Sequence, residues 1–183
     1  MTEKEKAQHG LPYNPNKDEE LIKERNQCKD KCYIYNHIKP TNIKDREEAL
    51  KNIVSQIGEN FVIEQPFFCD YGYNIEIGNN FYANHNLVIL DTAKILIGDN
   101  VFIGPNCGIY AAGHPIDYKE RNIGIEYAKT IKIGNNVWIG GNVCILPGVT
   151  IGEDVVIGAG SVVNKDIPSH SVAVGNPCRV LKR

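Results

Sequence analysis

The sequence predicts an all-β solenoid, a parallel β-helix with a helical cap at its N-terminal end and one extruded loop. Three observations predict it. Six-residue units recur: IEIGNN (75–80), ILIGDN (95–100), VFIGPN (101–106), and an unbroken run from IKIGNN (131–136) through VWIGGN, VCILPG and VTIGED to VVIGAG (155–160). Charge and glycine are partitioned. Residues 1–58 hold 21 charged residues, as many as residues 59–183, but only two of the 17 glycines. Between Ile109 and Thr130 the six-residue phase is lost in a polar, aromatic stretch, YAAGHPIDYKERNIGIEYAK. A fixed-period repeat signals units that cannot bury an apolar face alone and must stack.

Residues 1–58 read as the helical cap. From Asp18 to Ile38 the apolar residues Leu21, Ile22, Cys28, Cys32, Ile34, Tyr35 and Ile38 fall mostly at helical spacings. Asp18, Glu19 and Glu20 stand where the positive end of a helix favours carboxylates. Pro40 stops this helix. Thr41 or Asn42 starts a second, with Ala49, Leu50, Ile53, Val54 and Ile57 on one face and Gly58 at its end.

Residues 59–183 read as the solenoid. Each unit is a short extended segment of β-branched residues whose alternate side chains share a side. The Gly-Asn, Gly-Asp or Gly-Gly that follows tolerates the positive φ of a corner. Three sides and three corners make a coil of about 18 residues, and coils stack about 4.8 Å apart. Val101, Cys107, Val137, Val143, Val149 and Val155 are expected inside. The out-of-phase segment 109–130 is expected to project as a loop, where solenoids carry function.

Composition narrows the function. The chain has 183 residues, 42% hydrophobic, with 20 Lys+Arg against 22 Asp+Glu. That is enough for a core without disulfides. It lacks the basic excess of a nucleic-acid binder. No apolar run is long enough to span a membrane, and MTEKEKAQHG has no secretory h-region. A cytoplasmic protein with six reduced cysteines is expected. Cys28 and Cys32, four apart on a helix, have metal-ligand spacing, but no partnering Cys/His cluster is visible and core packing is the expectation.

Taken together, the hexads, Ala112-Gly113-His114-Pro115 in the interrupting loop, FYAN (81–84), NNVWIG (135–140), GNPCRV (175–180) and Tyr35-Asn36 in the cap resemble the maltose/galactoside O-acetyltransferases. These are hexapeptide-repeat acyltransferases, and the resemblance runs from about residue 3 to 183. It implies a left-handed β-helix, an exception to the right-handed crossover rule. It also implies a homotrimer with active sites between subunits, acetyl-CoA as donor, a sugar hydroxyl as acceptor, and no metal requirement.

The resemblance makes His114 the general base, a role suited to an imidazole at neutral pH. Glu126, in the same loop, orients or polarises the ring, and Asn84 completes the catalytic set by donating and accepting hydrogen bonds. Asp18, Asp70, Tyr82, Asn84, Asp91 and Trp138 are the acceptor contacts implied. Trp138, the only tryptophan, falls at an outward hexad position. Asp70 can be Ser in galactoside-type relatives, and His85 stands where relatives often carry an aromatic. Gly141, Ala159 and Gly160 let a pantetheine arm approach the backbone. Asn164, Lys165, Arg179, Lys182 and Arg183 supply donors and charge for the phosphates of CoA.

Two other classes compete. A γ-carbonic-anhydrase-type hydratase needs three histidines on zinc, and position 119, five after His114, is Lys. A non-catalytic binding solenoid has no need of the His-Pro loop, Asn84 and the basic tail together. Within the acetyltransferases, serine or an antibiotic is the alternative acceptor.

Overall fold

The computed structural model describes residues 1–181. Lys182 and Arg183, both expected at the donor, lie outside them. Three parallel sheets form the faces of a triangular prism. The first face stacks Gln56–Ile57, Ile75–Ile77, Ile95–Ile97, Ile131–Ile133 and Thr150–Ile151. The second stacks Val62–Ile63, Tyr82–Ala83, Phe102–Ile103, Trp138–Ile139, Val156–Ile157 and Val172–Val174, and ends in the antiparallel Arg179–Val180. The third stacks Phe67–Cys69, Leu87–Leu90, Gly108–Tyr110, Cys144–Ile145 and Val162–Val163.

The interior is predominantly apolar along the stack. Val101, Cys107, Val137, Val143, Val149 and Val155 all point into it, as the hexad phase predicts. One corner carries a polar ladder. Asn60 donates to Asn80, Asn80 to Asn100, Asn100 to Asn136 and Asn136 to Asp154, at 2.9–3.2 Å. Each of these residues has a φ of 54–57°. Asparagine pairs tolerance of that conformation with a side chain that can give one hydrogen bond and take another.

The same ladder measures the coils. Its steps are 20 residues before the loop and 18 after it. The early coils are therefore longer than the expected 18. The extra residues fall at the corner between the third and first faces, at 70–74 and 91–94. This is the corner from which the loop also leaves.

Helix α1 (Glu3–Gln8) was not foreseen; a Thr2–Glu5 capping box starts it. Helix α2 (Glu19–His37) buries Leu21, Cys28, Cys32 and Tyr35, while Ile34 is exposed. It closes the open end of the third face. The Asn36 amide accepts from Phe67 N at 2.8 Å and donates to Phe67 O at 2.9 Å, standing in for the missing strand. Helix α3 spans Ile43–Ile53. The expected run to Gly58 is wrong, because Gln56–Ile57 already pairs with Glu76–Ile77 as the first strand. Ser55 N turns to Gly72 O and Ile75 O instead of continuing the helix. A Cβ on Gly72, whose φ is +77°, would lie 2.1 Å from Ile53 O. Only glycine lets the helix end meet the coil so closely.

Candidate active site

The loop leaves the third face as a hairpin. Ala112–Gly113 pairs antiparallel with Tyr127–Ala128, and the short helix α4 (Tyr118–Asn122), capped by Asp117, fills its tip. His114 follows the first strand. Its Nδ1 lies 3.0 Å from Ile125 O, and a carbonyl can only accept, so Nδ1 carries the hydrogen. In the neutral ring Nε2 then holds the lone pair. Glu126 Oε1 is 3.9 Å from Nε2. Glu126 is held by Tyr13, whose hydroxyl donates to Oε2 at 3.0 Å and whose main chain exchanges two hydrogen bonds with it. Burial, then the Glu126 charge, push the Tyr13 phenol far up, so it remains a donor.

Asp70 lies at the widened corner of the first coil, two coils before the one from which the loop leaves. Burial raises its carboxyl pKa and Arg25 opposes the rise, while Glu126 adds to it. Asp70, Glu126 and Arg25 thus share one local field. Asp91 was expected to touch the acceptor, but it is 0% exposed. Its Oδ1 accepts from Asp70 N at 3.0 Å and Tyr71 N at 2.9 Å, and Oδ2 from Asn74 N at 3.4 Å. Burial, partly offset by the Tyr71 N–H, pushes its carboxyl up to about 7. Asp91 therefore shapes the turn that presents Asp70 and does not meet a ligand itself. Asp18 is the N-cap of α2, accepting from Leu21 N at 3.1 Å.

Asn84, Tyr82 and Trp138 stand elsewhere. With Phe102, Ile103 and Gly104 they line a shallow groove along the second face. Tyr82, Phe102 and Trp138 stack in register on successive coils, and Trp138 is 59% exposed. The Asn84 oxygen accepts from His85 N at 2.7 Å, and its amide nitrogen is a hydrogen-bond donor beside the groove. His85 is itself committed to Gln65 O at 2.6 Å. Asn84 ends the second face, whereas the His114 loop begins after the third. One chain therefore separates His114 and Glu126 from Asn84 by the width of a sheet.

Gly141, Ala159 and Gly160 occupy successive coils at the corner between the second and third faces. Gly160 N donates to Gly141 O at 2.9 Å. Gly160 has a φ of +72° with open space where a Cβ would stand, so the backbone there is bare to an incoming chain. Asn164, Lys165 and Arg179 are exposed. Arg179 Nη1 lies 3.5 Å from Asn164 Oδ1 and donates to Cys178 O at 2.7 Å.

Sequence reasoning missed Tyr13, Asn14 and Arg25 as supports of this region. Asn14 ties the cap to the loop by donating from Nδ2 to Ile123 O at 2.6 Å. No local pattern marks Tyr13 and Asn14, since their loop partners lie more than a hundred positions away.

A parallel hexapeptide solenoid with a His-bearing loop, a bare glycine corner and an outward tryptophan defines a hexapeptide-repeat transferase. Family comparisons agree. Residues 6–58 match the maltose acetyltransferase hexapeptide capping motif, residues 130–165 the bacterial transferase hexapeptide, and residues 94–116 the hexapeptide repeat of succinyl-transferase. The chain is 49% identical over 164 residues to the galactoside O-acetyltransferase of Escherichia coli, covering 90% of this chain and 81% of that one. It superposes on a maltose O-acetyltransferase from Clostridium difficile 630 with a TM-score of 0.98 and 54% identity, covering 100% and 97%. A galactoside acetyltransferase in complex with coenzyme A gives 0.97 at 45% identity, covering 100% and 91%. The chain belongs to the maltose/galactoside O-acetyltransferase family of hexapeptide-repeat acetyltransferases, and its β-helix is the left-handed one of that family.

Proposed function

We propose that the protein transfers an acetyl group from acetyl-CoA to a sugar hydroxyl, by direct attack with His114 as general base. The observation that carries this is the His114 Nδ1–Ile125 carbonyl bond, which leaves Nε2 free to take a proton beside Glu126. Nε2 removes the hydroxyl proton as the oxygen attacks the thioester carbonyl. The tetrahedral intermediate collapses, the C–S bond breaks, and the imidazolium returns its proton to the departing thiolate. Glu126, pinned by Tyr13, steadies the imidazolium while it exists.

The donor lies along the glycine corner, as supported by the coenzyme A held by the related galactoside acetyltransferase. Asn164, Lys165 and Arg179 face the phosphates. Asp70 grips acceptor hydroxyls. A homotrimer completes the site. It brings the Asn84–Trp138 groove of one subunit to the His114 loop of the next, and covers the exposed aromatic stripe. The names of the relatives, maltose and galactoside, favour the sugar over serine or an antibiotic.

The test is thiol release from acetyl-CoA across mono- and disaccharides, amino acids and antibiotics. Turnover is expected with a sugar and lost in His114→Ala. Turnover only with an amine, or undiminished in His114→Ala, would overturn the reading.

A further inference from the structure

We infer that the helical cap and the first coil together form a three-thiolate site for a thiophilic divalent metal ion of the zinc class. Sequence spacing shows only Cys28 and Cys32, one turn apart on α2. The fold supplies the third member, Cys69, at the end of the strand Phe67–Cys69. The Cys69 sulfur lies 3.5 Å from that of Cys28 and 3.8 Å from that of Cys32, and all three fall within 4.8 Å of one another. A tetrahedral zinc with Zn–S bonds of about 2.3 Å holds its sulfurs roughly 3.8 Å apart. The three sulfurs already stand near the positions of a coordination triangle. Among the described residues this is the one group of three such ligands.

The surroundings suit a divalent ion with an open fourth position. The cysteines are buried, but Cys32 and Cys69 form part of the wall of a 580 Å³ groove that also exposes Lys29, Asn36, His37 and Asp70. Water or a small ligand reaches the ion from that side. Three thiolates bring three negative charges into a region where burial already resists the charge of Asp91. A divalent ion leaves one charge uncompensated, near the Lys29 wall; a monovalent ion leaves two. On binding, three S–H bonds are replaced by three metal–sulfur bonds and three protons pass to water.

The site adjoins the acceptor corner. Cys69 directly precedes Asp70, and both line the same groove. Metal loading fixes the strand end that carries Asp70 and so alters acceptor affinity. This consequence rests on Asp70 as an acceptor contact; the metal site does not.

The experiment uses the reduced, chelator-treated full chain. Cd2+ is titrated while the sulfur-to-metal charge-transfer absorbance is followed, Zn2+ is titrated against a chromophoric chelator, and native mass spectrometry counts the ions. One ion per chain is expected, with a raised melting temperature. Cys69→Ala and Cys28→Ala should each weaken binding at least tenfold, while Cys144→Ala should bind as the parent does. Melting of the metal-free variants shows whether each is folded. Sub-stoichiometric binding to the folded, reduced parent overturns the site, as does unchanged binding in folded Cys69→Ala. Stoichiometric binding with an unaltered acceptor KM supports the site and removes its link to Asp70.

Discussion

Asp91 Oδ1 accepts the main-chain N–H of Asp70 at 3.0 Å from a position with no solvent exposure. One carboxylate is sacrificed to the interior so that another can be presented at a corner. The Asp91 side chain gathers three main-chain N–H groups from a turn that the hexad rhythm has no room for, and Asn74 Nδ2 donates back to Asp91 O at 2.7 Å. Two extra residues per coil enter here, and this buried acid is what orders them.

That burial has a pH signature. The folded-state pKa of Asp91 is raised to about 7, against about 3.9 in the unfolded chain. Between these values the native state holds the proton that the unfolded state has lost. Its contribution to stability is therefore full below about pH 4 and falls as pH rises toward about 7. Asp91→Asn, which does not ionise, should lack this fall. Thermal melts from pH 4.5 to 8 should show the parent losing ground to the variant by an amount on the order of 1–3 kcal/mol. Parallel pH curves would contradict the assignment.

His114→Ala should keep the melting temperature and oligomeric state and lower kcat by roughly 10²–10⁴. The residue lies in a projecting loop, half exposed at 51%. Steady-state kinetics beside circular dichroism separate chemistry from folding.

Phe102→Asp should dissociate the proposed trimer. Phe102 is 50% exposed between Tyr82 and Trp138 on the same outward stripe. A carboxylate there must stay hydrated, which a buried interface forbids. Light scattering should give the monomer mass with the far-ultraviolet spectrum unchanged, and thiol release should vanish if the site spans subunits. An intact trimer would place the interface elsewhere.

Lys165→Ala with Arg179→Ala should raise KM for acetyl-CoA and leave the sugar KM nearly constant. Both side chains are exposed and reach solvent near Asn164. High salt should weaken donor binding in the parent more than in the double variant, because exposed charge pairs are screened. A shift confined to the sugar KM would remove this pair from the donor site.

Gly72→Ala should destabilise the protein by roughly 2–4 kcal/mol. The new Cβ meets Ile53 O at 2.1 Å, and the φ of +77° is strained for any L side chain. Denaturant melts would measure it. A loss below the range expected of a surface substitution would mean that the end of α3 can retreat.

What the sequence by itself determined was the periodic part. The six-residue phase settled the solenoid and its inward residues, because Val137, Val143, Val149 and Val155 face the interior for the same reason that they recur. The break in phase marked the loop, and the resemblance put His114 in it. Tertiary structure alone decided whatever depends on pairs distant in sequence. The end of α3 moved back from Gly58 to Ile53 because a strand partner, Glu76–Ile77, claimed Gln56–Ile57. Asp91 moved from ligand contact to buried support because backbone donors converge on it. Tyr13 joined Glu126 across 113 residues, and Cys69 joined Cys28 across 41. A repeat is written locally, since each unit obeys the same φ/ψ and burial rule. Hydrogen bonds and thiol contacts between the cap, the coils and the loop form only when the stack brings those residues together.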